Sequence, residues 1–348
     1  MRRRTKKLSS SKGLIYIVLL ALLAGGKYIY NNYLASDDEV GGAATLAEPA
    51  SPHLPKEAEK SSEAPRKRKG IDRSGWAELP AEINDKDLYY AYHTMAEIDA
   101  KDPRRNYAVC FSRELRCPVW VAAALHPSFT GEVKRNDSYQ PDPQLPVNIQ
   151  PQLGRSYGGE YSRGHMLGSA ERTSTRAAND QTFYATNIAP QLRDGFNARG
   201  GAWNNLEAFV DRQVCRDTLY VVTGCLFTEY TDSTGEKIKP TTHTNRNDSK
   251  RVAVPTAYYK ALLRTRSGRE GKSVRECKAS ELKCAAFIVG HRSANGRKPS
   301  AGEMFSIKEL ERLTGVEFFT NVPNAPKGKA EARDWGVVKR ENSKFKIE

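Results

Sequence analysis

Between Trp76 and Val338 the chain runs through short β-rich segments separated by turns: "NYAVCF", "CPVWVAAAL", "QTFYATNIA", "TLYVVTG", "RVAVP", "YYKALLR" and "CAAFIVG". Runs of this length, rich in β-branched and aromatic residues and bounded by turn formers, read as strands. Two helices stand out among them. "AWNNLEAFVDRQ", starting at Gly200–Gly201, places Trp203, Leu206, Glu207 and Val210 on one face at helical spacing. "SIKELERLTG" opens with a Ser306-x-x-Glu309 capping box and stops at Gly315. Many strands with few helices predict an α+β fold on a mixed β-sheet core, not a wound parallel sheet.

The domain expected over residues 76–338 is preceded by two segments of different character. Residues 1–35 begin "MRRRTKK" and continue into the uncharged run "GLIYIVLLALLAGG". As a helix that run would cover about 20 Å of a ~30 Å hydrocarbon core, and Lys27 and the following "YIYNNYLA" can extend it. A signal-anchor fits, which predicts an exported, membrane-anchored protein. A signal peptide cleaved near Ala24–Gly26 and an Arg-rich mitochondrial presequence are the alternatives. Residues 36–75, rich in Pro, Ala, Glu, Ser and Lys, show no hydrophobic period and read as an extended linker; residues 339–348 form a tail.

The six cysteines, Cys110, Cys117, Cys215, Cys225, Cys277 and Cys284, are even in number and lack CxxC spacing. That argues against a zinc ribbon and, with export, for disulfides, the Cys110–Cys117 pair across a hairpin being one candidate. Net charge is +14, of which +9 lies beyond residue 72. Such a domain attracts polyanions, nucleic acid or an acidic membrane surface among them, although solubility alone would account for it.

Candidate chemistry centres on "EYSRGHMLGSAER", where Arg163 and His165 flank Gly164. An imidazole titrates near neutral pH and can serve as general base, while a guanidinium offers a fixed fork to phosphate. Downstream, "TNIAPQLRDGFNARGGAWNNLE" gathers Asn187, Gln191, Asn197, Asn204, Asn205 and Glu207. Carboxamide oxygens beside a carboxylate suit a hard, hydrated cation, but asparagines equally cap turns and helices. A serine hydrolase built on Ser169 is excluded by the lack of a G-x-S-x-G elbow.

Taken in order, "SRGH", "NIAPQ" and "FN…AWNNLE" resemble the D-R-G-H, N-x-x-P-Q and F/L-N…W-x-x-L-E motifs of the DNA/RNA non-specific endonuclease family, endonuclease G among its members. "RCPVWVA", "DTLYVVTG", "VPTAYYKALL" and "KELERLTGVEFF" extend the likeness from about Leu79 to Phe319. The resemblance implies a ββα-metal (His-Me finger) core and hydrolysis of DNA or RNA, held through its backbone phosphates, to 5′-phosphate ends. His165 would be the general base, Asn197 the ligand of a single Mg²⁺ (Mn²⁺ or another divalent ion being able to substitute), and Glu207 the holder of metal-bound water. Arg163 would stabilise the phosphate and Asn187 support the site; a homodimer is compatible with it.

Two departures stand out. Ser162 replaces the family's usual Asp, and Asn197 and Glu207 lie ten positions apart, two more than the family pattern. These motivate an alternative, a catalytically silent, envelope-tethered nucleic-acid-binding module.

Overall fold

In the computed structural model, residues 72–101 and 104–337 are described. The leader and almost all of the linker, and the tail, lie outside them.

The strands follow in chain order: β1 (Leu88–Thr94), β2 (Arg105–Ser112), β3 (Cys117–Leu125), β4 (Tyr161–His165), β5 (Ile188–Leu192), β6 (Leu219–Leu226), β7 (Tyr230–Thr231), β8 (Lys237–Ile238), β9 (Thr241–Thr244), β10 (Arg251–Val254), β11 (Ala257–Thr265), β12 (Leu282–Gly290) and β13 (Met304–Phe305). Three α-helices join them, α1 (Arg176–Gln181), α2 (Ala202–Asp211) and α3 (Ile307–Thr314). Seven strands form one sheet in the order β1-β2-β3-β6-β11-β12-β13, while β4-β5, β7-β8 and β9-β10 form separate two-stranded ribbons.

Every strand pair within these sheets is antiparallel, so the mixed sheet expected from sequence is corrected to an antiparallel one. Tight links such as the Arg113–Arg116 turn between β2 and β3 can join only antiparallel neighbours. The segment "QTFYATNIA" is also corrected. Only its last two residues enter β5; the rest closes α1 and forms a 3₁₀ turn over Ala185–Asn187. There, side chains take backbone partners: Thr182 Oγ1 donates to the Asn179 carbonyl, and Asn187 Nδ2 to the Thr182 carbonyl. Such local bonds compete with a sheet ladder.

The central strands are buried on both faces, all nine residues of β3 and of β12 included. One face packs Trp120, Tyr259, Ile288 and Phe318 beneath α3. The other packs Tyr258, Leu262 and Phe287 against Trp203, Leu206 and Val210 of α2. Alternation along β11 explains the division, since Tyr258 and Tyr259 point to opposite faces. α3 begins as expected, with Ser306 capping Glu309 N–H, and ends at Gly315, whose φ of 69° suits a left-handed cap.

The same alternation overturns the disulfide expectation. Cys110 and Cys117 do flank a hairpin, but its register pairs Ser112 with Cys117 and Cys110 with Trp120. Cys110 enters the core on the α3 face and Cys117 the core on the α2 face. All six cysteines are free thiols.

Candidate active site

The β4-β5 ribbon carries the central motif. Its register is unbroken, from Tyr161 opposite Leu192 to His165 opposite Ile188. Pleating therefore places Tyr161, Arg163 and His165 on one face and Ser162 and Gly164 on the other. Gly164 is required there, because a Cβ would overlap the carboxamide of the buried Gln191.

On the first face His165 sits among aromatic rings, 5.0 Å from Phe183 edge-on and 5.8 Å from Tyr139, centroid to centroid. Its Nε2 is buried without a hydrogen-bond partner. Burial pushes the imidazole pKa down to about 3; the Arg135 charge adds to this, Asp137 opposes it and Arg163 adds again. The result is a neutral ring with an accepting nitrogen at physiological pH. Arg163 stacks its guanidinium 3.6 Å over the Tyr139 ring and donates to the Leu153 and Gly154 carbonyls at 2.9 and 3.3 Å. Arg135 donates to Asp137 and to the Tyr139 hydroxyl at 2.9 Å. Two guanidiniums thus flank the imidazole, an arrangement that fits a phosphate anion.

Arg135, Tyr139 and Phe183 were missed by the sequence reading. "KRNDSYQ" carries no local signal, and its place depends on distant pairing: Gln140 N–H donates to Phe183 and Ala185 N–H to Gln140.

On the second face the chain after β5 makes a wide turn over Arg193–Asn197, closed by Ala198 N–H to the Arg193 carbonyl at 2.9 Å. Asn197 Nδ2 donates to Ser162 Oγ at 3.0 Å, and Ser162 Oγ donates to the Gln191 carbonyl at 3.0 Å. The residues responsible for the longer Asn197–Glu207 spacing bulge outside the helix. Asn204 Oδ1 accepts from Gly200 N–H, Asn205 Nδ2 donates to the Gly200 and Arg297 carbonyls, and α2 starts after Gly201. Asn204 and Asn205 therefore clamp the loop, and the carboxamide oxygen of Asn204 is already occupied.

Glu207 lies farther along α2 and makes no hydrogen bond to Asn197 among the described residues. Burial pushes its carboxyl up to about 7, with Lys260 opposing and Glu171 and Asp211 adding. Lys260 is buried on β11, bonded to Thr223 Oγ1 at 3.1 Å and 5.2 Å from the Trp203 ring. Asn187 is fully buried. Its Oδ1 accepts from Leu167 N–H at 2.9 Å, and its Nδ2 donates to the Leu167 and Thr182 carbonyls. It thereby ties the segment after His165 to the turn entering β5.

The ribbon thus assembles His165 with Arg163 on one face and Asn197 with Ser162 on the other, while Glu207 lies on α2 within electrostatic reach of Lys260. Of the remaining histidines, His93 and His291 are packed inside, His126 caps a turn and His243 lies on β9, 5.0 Å from the Tyr161 ring.

Whether these residues fit a cation can be tested on their donors. No group of three or more His, Cys, Asp and Glu side chains among the described residues could hold a metal. What remains is carboxamides: Asn197 Oδ1, which accepts no hydrogen bond among the described residues, and the Gln191 carboxamide, buried with both polar atoms unpartnered. That set fits an ion such as Mg²⁺, which keeps most of its waters and takes few protein ligands.

The family model for DNA/RNA non-specific endonucleases matches residues 90–325, a span containing all of this geometry. The chain belongs to that family. It is 25% identical over 239 residues to mitochondrial nuclease 1 of Schizosaccharomyces pombe, covering 68% of this chain and 70% of the relative. It is 26% identical over 223 residues to human mitochondrial endonuclease G, covering 63% and 69%. Among solved structures, the crystal structure of the EndoG/EndoGI complex matches with a TM-score of 0.50 and 26% identity over 62% of this chain and 84% of that one.

The protein is accordingly a hydrolytic nuclease, of a family that acts on nucleic acid and generally depends on divalent metal. The exported, membrane-anchored location expected from residues 1–35 is corrected. Both relatives are mitochondrial nucleases; residues 1–35 themselves lie outside the described residues, among which no helix is long and apolar enough to cross a membrane. An apolar run of 14 residues is short for a membrane span, so the leader was a weak guide to location.

Proposed function

We infer that this nuclease hydrolyses phosphodiester bonds of DNA or RNA with little sequence preference, depends on Mg²⁺ or a similar divalent ion, and leaves 5′-phosphate and 3′-hydroxyl ends. The observation that carries this reading is an imidazole kept neutral between two guanidiniums, with an unpartnered buried Nε2. Such a nitrogen can take a proton from an attacking water, and His165 is assigned that role.

Arg163 and Arg135 would bind the scissile phosphate and offset the charge that builds on its oxygens in the transition state. Asn197 would hold the divalent ion through Oδ1; the bound ion supplies relief of the charge developing on the leaving oxygen. Among the described residues β4 pairs with β5 alone of the named strands, and its other edge is bridged at Tyr161 by Gly158. A phosphodiester lying along that edge could be reached by His165 from one face and from the Asn197 side by the other. Asn187 supports the segment that follows His165. Glu207 would act on water around the ion only if it turned from the Lys260 group toward Asn197, so its part is the least direct. Contacts confined to phosphates would make affinity strongly dependent on salt.

The test is plasmid nicking by the purified chain with Mg²⁺ and with EDTA. Nicking in Mg²⁺ alone, lost in His165→Ala and in Asn197→Ala with folding intact, is the expected result. Undiminished nicking by both variants would refute the assignment. Salt-sensitive DNA binding without scission under either condition would favour the silent binding module.

A further inference from the structure

Ser162 looks at first like a loss, a neutral side chain where the family pattern has a carboxylate. Its two hydrogen bonds give it a defined task. The hydroxyl has a single proton, and that proton is committed: Ser162 Oγ lies 3.0 Å from the Gln191 carbonyl, a group that can only accept. Toward its other neighbour the oxygen has only lone pairs to offer. Asn197 meets it at 3.0 Å, and an acceptor can be met only by the NH₂ end of the carboxamide. The opposite end, Oδ1, is then turned away from the strand and accepts no hydrogen bond among the described residues.

Resting on the cation site assigned above, we propose that Ser162 is a positioning residue that selects which end of the Asn197 carboxamide faces the divalent ion. The backbone carbonyl of Gln191 sets the direction of the Ser162 hydroxyl, and the hydroxyl sets the direction of the amide. A reversed amide would oppose Oδ1 to the Ser162 lone pairs and aim two N–H donors at a cation. Only the observed orientation leaves an oxygen for the ion. A carboxylate at 162 would orient Asn197 in the same sense, since it too can only accept, but it would also add a negative charge beside the ion. Ser162 performs the orientation without that charge, which leaves the donor set at this face neutral.

The surroundings keep the relay in register. Ser162 and Gln191 are directly opposed on β4 and β5, and Asn197 hangs from the turn that leaves β5. The Gln191 side chain packs over Gly164, the next position on the same face. Gln191 and Asn197 are close along the chain, and the β4-β5 pairing brings Ser162 to both.

Groups that orient a metal ligand from behind it typically change metal affinity 10–100-fold when removed. The test measures Mn²⁺ binding to the full-length protein by electron paramagnetic resonance without nucleic acid, in wild type, Ser162→Thr, Ser162→Val and Asn197→Ala. Thr and Val have nearly the same shape and differ in the hydroxyl, so a packing effect would fall on both alike. The expected result is binding near the wild-type level in S162T, binding weakened about 10-fold or more in S162V, and loss of the site in N197A. Equal affinity in S162T and S162V, with N197A deficient, would overturn the role of Ser162 and leave the cation site standing. Unchanged affinity in N197A would overturn the cation site itself, and the positioning role with it.

Discussion

His93 Nε2, on β1, lies 3.0 Å from Asp142 Oδ2, with both side chains fully buried. The pair is tied to the candidate site. Asp142 also accepts from Thr186, the neighbour of Asn187, and opens the loop that follows Tyr139 and Gln140. Burial alone would depress the His93 pKa; the Asp142 carboxylate outweighs it, with Glu97 assisting, and raises it to about 9. Asp142 is correspondingly lowered despite its burial.

The sign of the pH effect follows from that shift. An unfolded His titrates at about 6.5, so the stability contributed by His93 is fully present below that value and is lost as pH rises through about 9. Asp142 contributes above its unfolded value of about 3.9 and loses its contribution in acid. Tm measured from pH 6 to 10 should fall through the upper range. Asp142→Ala, which leaves His93 buried without its partner, should cost about 3–5 kcal/mol at neutral pH and flatten that fall. A wild-type Tm that is constant to pH 10 would contradict the pairing.

Gly164→Ala should destabilise the protein by roughly 1–3 kcal/mol, because the added methyl overlaps the buried Gln191 carboxamide. Shortening the obstacle should offset it, so that Gly164→Ala combined with Gln191→Ala unfolds at a higher urea concentration than additivity allows. Strict additivity in that double-mutant cycle would show that the two positions do not touch.

Arg135→Ala and Arg163→Ala should separate binding from stability. Each removes one phosphate contact, lowering the slope of log affinity against log salt on duplex DNA by about 0.9. Arg163 also holds two carbonyls, whereas the Arg135 side chain is 49% exposed, so only Arg163→Ala should lower Tm appreciably. Because both cations disfavour a protonated His165, removal of either raises the imidazole pKa from its value of about 3, which an NMR titration of the ring would read. No change in the ring titration in either variant would dissociate the arginines from His165.

Asn187→Ala should cost about 1–3 kcal/mol, since it strands a buried N–H and two carbonyls at the end of β4. Plasmid nicking should decline along with it, because the segment after His165 loses its tether. Full stability by chemical denaturation would show that those groups find other partners.

With six free thiols and no disulfide, reductant should leave Tm unchanged, and the denatured chain should titrate six thiols without prior reduction. A count of four or fewer would restore the disulfide expectation.

Much of the site was legible in local residue order. His165 and Arg163 were marked by their spacing around a glycine, the start of α2 after Gly200–Gly201 by helical spacing, and both ends of α3 by capping chemistry. Asn187 was singled out too, although its bonds to Leu167 and Thr182 were not foreseeable. The strand β1 was absent from the segments read as strands, and its partner β2 lies across a separate loop. Ser162 was read as a deficit because its value depends on two neighbours brought to it by the β4-β5 register and the turn after β5.

The sequence alone marked several of the strands, the helices α2 and α3 and the candidate residue types of the site, since these depend on side chains a few positions apart along one backbone. Only the tertiary structure decided that Arg135 and Tyr139 enclose His165, that Ser162 meets Asn197, and that Cys110 and Cys117 face opposite cores. Those outcomes arise from sheet register and long-range packing, where a shift of one residue reverses the face a side chain occupies.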